Sequence, residues 1–261
     1  MPALIADTHA HLTDYALDEI EFVVQRAAAA GVGRILAVGI DLETSAASIS
    51  LARRFPIVYA AVGVHPQTAD QFSTEALAEI RRLASDPKVV AIGEIGLDYY
   101  RCQVPISRQM TAFQEQLALA AELSLPVVIH DREAHDDVRN LIGEIQHGPD
   151  LIGRAGVLHC FSGDFALATT GIARGFFISF AGNVTYRRSA ELRAVAAQLP
   201  FDSLLSETDS PYLAPEPRRG RPNEPANVRF VVESLSQSRG ASVESVAAQT
   251  YANAQRLFGW S

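Results

Sequence analysis

The stretch Asp7-Thr8-His9-Ala10-His11 directly follows the short apolar run at residues 3–6. An apolar run of this length predicts a buried strand. Side chains two residues apart on a strand point to the same face, so we expect His9 and His11 to project together from its carboxyl end. Two adjacent imidazoles are typical of a divalent metal site, because each offers a neutral nitrogen lone pair. A hydrogen-bonded histidine pair without metal is the alternative for this motif taken alone.

Further along the chain, apolar runs that predict strands alternate with amphipathic stretches that predict helices. The predicted strands lie at residues 3–6, 34–39, 57–62, 89–94, 127–130, 155–159, 176–180 and 203–209. The predicted helices lie at residues 18–30, 43–54, 74–85, 106–123, 134–146, 165–173, 190–198, 226–238 and 243–257.

Eight strand-then-helix units with near-continuous apolar strands favour an α/β fold of the (β/α)8 TIM-like barrel type, with some distortion allowed. We found no linker that divides the chain, so we expect a single domain over residues 1–261. A doubly wound open sheet has the same alternation. It more often carries a glycine-rich phosphate turn after the first strand, where this chain has His9-Ala10-His11.

The composition is that of an ordinary globular protein, with 48% hydrophobic and 20% charged residues among 261. No apolar run reaches the roughly 18 residues of a membrane span, and the first residues show no secretory signal. Two cysteines do not make a disulfide framework, so we expect a cytoplasmic protein with no membrane partner. The net charge of -8 argues against tight electrostatic binding of bulk nucleic acid. Bound cations could still reverse the charge locally at a nucleic-acid substrate.

Several predicted strands end in a polar side chain, and in a barrel the chemistry lies at those carboxyl-terminal ends. The residues at these ends are His9, His11, His65, Glu94, His130, His159 and Asp209. Taken singly, Glu94 or Asp209 is equally well explained as a helix cap, and a lone histidine as an ordinary rim residue. Burying these histidines and carboxylates together on one rim would cost free energy if their charges and lone pairs had no partner. Bound cations would supply that partner.

A mixed nitrogen and oxygen ligand set favours Zn²⁺, Mn²⁺, Co²⁺ or Fe²⁺ over Mg²⁺. Six ligands exceed what one tetrahedral zinc needs, so we expect two divalent metal ions bridged by a carboxylate. A pair of metal ions suits hydrolysis of a phosphodiester or acyl bond.

These residues belong to motifs that follow one another over essentially the whole chain. The motifs are Asp7-Thr8-His9-Ala10-His11-Leu12, Gly63-Val64-His65-Pro66, Gly93-Glu94-Ile95-Gly96-Leu97-Asp98-Tyr99, Leu125-Pro126-Val127-Val128-Ile129-His130, His159-Cys160-Phe161-Ser162-Gly163, Glu207-Thr208-Asp209-Ser210-Pro211-Tyr212-Leu213 and Arg221-Pro222-Asn223-Glu224-Pro225. As a set they resemble the TatD family of metal-dependent deoxyribonucleases, part of the wider group of amidohydrolase-like barrels. The resemblance implies a (β/α)8 hydrolase that acts on DNA.

Carried over by position, the resemblance also implies the roles of the site residues. One metal ion would be held by His9, His11 and Asp209, the other by His130 and His159, with Glu94 bridging the two. Asp209 would orient the attacking water and accept its proton. His65 matches no metal position, so we expect it to donate a hydrogen bond to a substrate phosphate. The predicted catalytic residues are therefore Asp209, Glu94 and His65.

Other residues are predicted to contact substrate or to support the site. Tyr99 and Arg101 follow the fourth strand, where a ring can stack on a base and a guanidinium can pair with a phosphate. Arg221 belongs to the basic loop after the eighth strand, for which a merely solvated loop is the alternative. Asp98 is expected to orient a ligand by a hydrogen bond. Many family members have a histidine where this chain has Gln67, which carries no charge.

Three hypotheses for function follow. The first is an exonuclease that cleaves single-stranded DNA with two metal ions. The second is a hydrolase of another ester or amide, such as an aminoacyl-tRNA ester, because the loops choose the substrate. The third is a metal-binding scaffold without turnover, which would have no need of six converging ligands.

Overall fold

Eight parallel strands in chain order form the centre of the molecule, as seen in a computed structural model that describes residues 3–144, 151 and 153–260. The strands β1 to β8 are Ile5–Ala10, Val32–Val38, Val58–Val62, Val89–Asp98, Val127–Arg132, Gly156–Leu158, Phe176–Phe180 and Leu204–Ser206. The helices α1 to α9 are Ile20–Ala29, Leu42–Arg54, Thr74–Leu83, Ile106–Leu123, His135–Glu144, Phe165–Ala173, Ala190–Gln198, Val228–Arg239 and Val243–Phe258. The predicted single-domain (β/α)8 TIM-like barrel is confirmed. Residues 145 and 146 of the fifth predicted helix lie outside the described residues.

The barrel closes between β1 and the chain that leaves β8. The N–H of Asp209 donates to the carbonyl oxygen of His9 at 2.9 Å. We call this junction between β1 and the end of β8 the seam. A side chain also contributes to it, because the Thr8 hydroxyl donates to the carbonyl oxygen of Ser206 at 3.2 Å. The seam therefore brings the first and last strands together beside His9 and Asp209, about 200 residues apart in the sequence.

Alternate side chains of each strand enter different apolar clusters, as the pleat of a strand requires. In β2, Leu36 and Val38 belong to a cluster inside the barrel, whereas Ile35 belongs to the cluster beneath the surrounding helices. The inner cluster also contains Trp260, which packs against Tyr59 near the start of β3. The end of the chain thus fills the amino-terminal end of the barrel and leaves the opposite end to polar groups.

The fourth strand is longer than predicted, so Glu94 lies within β4 and not at its end. The chain advances from Ile92 to Ile95 while its partner β5 advances by one residue fewer, from Val127 to Ile129. This extra residue is a β-bulge, which bends a strand and re-aims side chains. We conclude that the bulge turns Glu94 toward the carboxyl-terminal mouth.

A glycine permits the close approach of β4 and β5 beyond the bulge. Gly96 has a φ of +139°, and a Cβ atom there would lie 2.0 Å from the carbonyl oxygen of His130. No other residue type fits this position without moving the backbone of β5.

Among the described helices, none combines the length and the apolarity that a membrane crossing requires.

Candidate metal centre

A buried carboxyl group on β1 holds the segment that follows β8 in place. Asp7 accepts hydrogen bonds from the Thr208 N–H at 2.8 Å and from the Thr208 hydroxyl at 2.6 Å. Burial raises the pKa of Asp7 to about 8. Asp209 follows directly and has a φ of +55°, a conformation that aspartate tolerates better than most residues. The predicted eighth strand therefore ends early, at Ser206, and Asp209 turns toward β1.

One oxygen of Glu94 faces the candidate ligands on and directly after β1 and after β8. Glu94 Oε2 lies 3.3 Å from His9 Nε2 and 3.7 Å from His11 Nε2. Asp209 Oδ1 lies 3.3 Å from His11 Nε2 and 3.8 Å from His9 Nε2. Ligand atoms that share one tetrahedral ion at bond lengths of about 2.1 Å are separated by about 3.4 Å. The spacing of these four side chains fits one metal ion.

The other oxygen of Glu94 faces a second group of ligands. Glu94 Oε1 lies 2.8 Å from His130 Nδ1 and 2.8 Å from His159 Nε2. The two histidine nitrogens are 3.3 Å apart. The carboxylate of Glu94 thus stands between two sets of nitrogen and oxygen donors, with one oxygen directed to each set.

This carboxylate is buried among imidazoles. Glu94 is 2% exposed. Burial alone would raise its pKa, but His159, His65 and His9 outweigh that effect and hold the pKa well below its usual range. An ionised carboxylate so far from water is costly without positive charge nearby. The donor set therefore fits divalent cations by its chemistry as well as by its spacing.

Two further carboxylates lie beside the outer nitrogens of candidate ligand histidines. Asp98 Oδ2 lies 3.5 Å from His130 Nε2, as the sequence predicted for Asp98. Glu207 Oε1 lies 3.3 Å from His159 Nδ1. Each imidazole can thus present its other nitrogen to the centre, and such partners fix the tautomer of metal ligands. The position of Glu207 beside His159 was not predicted, although an acidic residue directly after an apolar strand was a signal.

His65 also faces the centre, and it forms a further group of possible metal-binding atoms with Glu94 and His130. Its Nδ1 accepts the N–H of Gln67 at 3.1 Å, so the proton of the neutral ring is on Nε2. That nitrogen lies 3.5 Å from Glu94 Oε1. Burial lowers the pKa of His65 to about 4, which keeps the ring neutral near pH 7. In this tautomer the Nε2–H can donate to a substrate oxygen, whereas the other tautomer would present Nε2 as a ligand atom beside Glu94 and His130.

The residues predicted to contact substrate occupy different environments. Tyr99 is half-buried, and its hydroxyl donates to Asp137. Arg101 is exposed, and its Nη1 donates to Gln67 Oε1 at 2.9 Å. Gln67 Nε2 in turn donates to Asp98 Oδ2 at 2.8 Å, so Arg101 is linked to the centre through Gln67 and Asp98. Arg221 lies exposed on the loop after β8. The structure thus brings together the six predicted ligands and His65, whereas it ties Tyr99 to Asp137 on α5.

An eight-stranded α/β barrel with this donor set at its carboxyl-terminal mouth defines the class of metal-dependent hydrolases. Comparison with known proteins then gives the family within that class. The model of the family described as TatD related DNase matches residues 6–259. The chain belongs to this family, as the resemblance in its motifs implied.

Named relatives and a solved structure agree with this assignment. The chain is 40% identical over 256 residues to "Uncharacterized metal-dependent hydrolase YabD" of Bacillus subtilis, covering 98% of this chain and 99% of that protein. It is 42% identical over 253 residues to "3'-5' ssDNA/RNA exonuclease TatD" of Erwinia amylovora, covering 95% of this chain and 96% of that protein. The crystal structure of YjjV, a TatD homologue from Escherichia coli, is 34% identical and has a TM-score of 0.90 over 98% of both chains.

Proposed function

We propose that this protein is an exonuclease that hydrolyses phosphodiester bonds at the 3' end of single-stranded DNA with two divalent metal ions. The observation that carries the proposal is the position of Glu94, whose two oxygens face two separate groups of ligand atoms. The exonuclease name of the Erwinia relative supports the choice of substrate and polarity.

The residues that would hold the ions follow from the distances around Glu94. One ion would be held by His9, His11 and Asp209, the other by His130 and His159, with Glu94 shared between them. The nitrogen-rich donor set favours Zn²⁺, Mn²⁺, Co²⁺ or Fe²⁺, with Mg²⁺ less suited. Such a pair of ions supplies an activated water and stabilises charge on the phosphoryl oxygens.

The chain's own groups then orient the reactants and move the proton. The side chain of Asp209 is 15% exposed, so water can reach it. Its carboxylate orients the attacking water and accepts the proton of that water. The Nε2–H of His65 donates to a phosphoryl oxygen, where negative charge increases in the transition state. Arg101 is exposed and donates a hydrogen bond to Gln67, and it would pair with a neighbouring phosphate.

The net charge of -8 limits how the protein binds a polyanion. Long-range attraction for DNA is weak at this charge, so binding depends on a few contacts close to the scissile bond. The end of a single strand can enter the mouth of the barrel directly, whereas the end of a duplex must first lose its base pairs. The proposal therefore favours an unpaired 3' end over a blunt duplex end.

A substrate panel tests the proposed function. Purified protein with added Mn²⁺ is incubated with single-stranded DNA, blunt duplex DNA, an aminoacylated tRNA and a generic phosphodiester, each with and without EDTA. We expect the fastest turnover on single-stranded DNA, release of nucleotides from the 3' end and complete loss with EDTA. Faster hydrolysis of the aminoacyl ester would identify the protein as a hydrolase of that ester. No turnover of any substrate would favour a metal-binding scaffold.

The change His65→Ala tests whether this residue acts on the substrate. We expect kcat/KM on single-stranded DNA to fall by about 10²- to 10³-fold, as for the loss of one donor to a transition-state oxygen. Metal content should stay at the wild-type value, because the proposal assigns His65 to the substrate and not to an ion. The measurements are steady-state kinetics and elemental analysis of the same protein sample.

A histidine outside the centre provides the matched control. His135 lies at the start of α5, and its Nδ1 lies 2.8 Å from Oδ2 of Asp131 on β5. The change His135→Ala should leave kcat/KM and metal content within about twofold of wild type, because His135 contacts none of the six predicted ligands. Loss of metal in His65→Ala would instead make His65 a ligand and contradict its place on the substrate side.

A further inference from the structure

An exposed aromatic ring lies directly beside the candidate metal centre. Tyr212 is 54% exposed, and its ring meets the ring of His11 edge to face at a centroid distance of 5.8 Å. His11 itself is only 9% exposed. Tyr212 therefore lies on the protein surface next to His11, where a substrate that approaches the centre would contact it.

The ring is held in place although it is exposed. The hydroxyl of Tyr212 donates to Asp14 Oδ2 at 2.8 Å, a hydrogen bond that raises the pKa of the phenol to about 12. Its N–H donates to the carbonyl oxygen of Asp209 at 2.9 Å, and its carbonyl oxygen accepts from Asn223 Nδ2 at 2.7 Å. A ring fixed at both ends loses little conformational entropy when a ligand packs on it.

The surroundings of Tyr212 differ from those of another exposed tyrosine near the mouth. Tyr100 already carries the guanidinium of Arg132 at 4.3 Å from its ring centroid. Within residues 3–144, 151 and 153–260, the ring of Tyr212 meets the ring of His11 edge to face, and no guanidinium or ammonium group lies over it. An exposed aromatic ring held in a fixed position beside a reaction centre offers a surface on which a flat ligand can stack.

We propose that Tyr212 stacks on the base of a nucleotide that flanks the scissile phosphate. This inference rests on the proposed nuclease function and adds a specific binding residue to it. Every base has a π-face, so stacking binds DNA with little sequence preference. A base at the end of a single strand is free to stack, whereas a paired base is not. Tyr212 thereby contributes to the selection of unpaired ends. The few positive charges near the centre cannot make this selection, because they contact phosphates, which single strands and duplexes share.

The opposing explanation is that Tyr212 only packs against His11 and keeps that ligand in position. The two roles differ in one respect that can be measured. A stacking residue matters only when the substrate has a base at the corresponding position. A positioning residue affects all substrates equally.

The experiment combines variants of the protein with substrates that lack one base. The proteins are wild type, Tyr212→Leu, Tyr212→Phe and the surface control Phe22→Leu on α1. The substrates are a single-stranded oligonucleotide and two versions with an abasic residue at the last or the penultimate 3' position. Kinetic constants and metal content are measured for every protein.

We expect Tyr212→Leu to raise KM for the complete oligonucleotide roughly tenfold, as loss of base stacking does. For one of the two abasic substrates, wild type should show a similar loss and Tyr212→Leu should cause no further loss. Tyr212→Phe keeps the ring and should stay within about threefold of wild type, as should Phe22→Leu.

Other outcomes would overturn the proposal. An equal loss on all three substrates, or a fall in metal content, would show that Tyr212 acts through His11. No loss with Tyr212→Leu would show that the ring does not contact the substrate. If Tyr212→Phe is as impaired as Tyr212→Leu, the hydrogen bond to Asp14 matters and not the aromatic face.

A binding measurement separates this proposal from the proposed function. An oligonucleotide with 2-aminopurine at each of the two 3' positions in turn is titrated with wild-type protein and with Tyr212→Leu in the presence of Ca²⁺. Stacking predicts that wild type changes the fluorescence at one position and that Tyr212→Leu abolishes this change. Stacking without hydrolysis would contradict the proposed nuclease alone, whereas hydrolysis without a Tyr212-dependent change would contradict the stacking alone.

Discussion

Replacing Glu94 by glutamine is expected to lower kcat/KM on single-stranded DNA by at least about 10³-fold and to reduce the bound metal. Removing a single electrostatic contact in an active site costs about 10²- to 10³-fold, and Glu94 has one oxygen directed to each group of ligands. Glutamine keeps the shape but replaces one oxygen with an N–H donor. That donor would face imidazole nitrogens on one side of the centre, so one metal position would lose the oxygen that Glu94 supplies.

The measurement is metal content by elemental analysis together with steady-state kinetics at saturating Mn²⁺. We expect nearly two ions per chain in wild type and clearly fewer in Glu94→Gln. The matched control is Glu122→Gln, because Glu122 is an exposed residue on α4 that pairs with Arg81. It should keep both values within about twofold of wild type. Unchanged metal content and activity in Glu94→Gln would contradict a shared carboxylate.

The histidine and carboxylate cluster was predictable because its members follow apolar runs. A run such as Val127–Ile129 has to be buried, so the polar group that follows it, His130, has to lie at an end of the barrel. His159 follows the same rule. The parallel order of the strands then places these ends on one side. Residue pattern and topology together were therefore sufficient to locate the candidate centre.

The exact setting of Glu94 was not predictable in this way. Its position depends on a bulge, and a bulge is defined by pairing with β5, more than thirty residues further along the chain. The local signal was the pair of glycines at Gly93 and Gly96, since glycine within a strand often marks a bulge or a close approach. The polar residue Glu94 was predicted to end the strand, so the bulge was not predicted.

The region after β8 was the hardest to predict. Its shape depends on contacts with β1, which are made only when the barrel closes. Asp7 holds Thr208, and Asn223 holds the carbonyl oxygens of Thr208 and Tyr212. The motif that contains Tyr212 was identified in the sequence. The position of Tyr212 beside His11 could not be predicted, because it depends on the contacts between β1 and the segment after β8.

Replacing Asp209 by asparagine is expected to lower kcat about 10³-fold with little change in KM. Asparagine has nearly the same size and keeps one oxygen, so it can still contribute a weaker ligand atom. It cannot accept the proton of the attacking water, and general-base catalysis accounts for about 10²- to 10⁴-fold in rate. The partly exposed position of Asp209, beside His11 at 3.3 Å, makes it the carboxylate of this centre that water reaches most directly.

Kinetics at saturating Mn²⁺ distinguish this chemical role from simple loss of metal. Asp209→Asn should approach wild-type metal content under these conditions while kcat remains low, whereas Glu94→Gln should stay deficient in metal. Asp136→Asn is the matched control, since Asp136 is an exposed residue on α5 paired with Arg139. Recovery of wild-type kcat in Asp209→Asn at high Mn²⁺ would show that Asp209 serves only as a ligand. Proton transfer would then have to be assigned to another group that faces the centre.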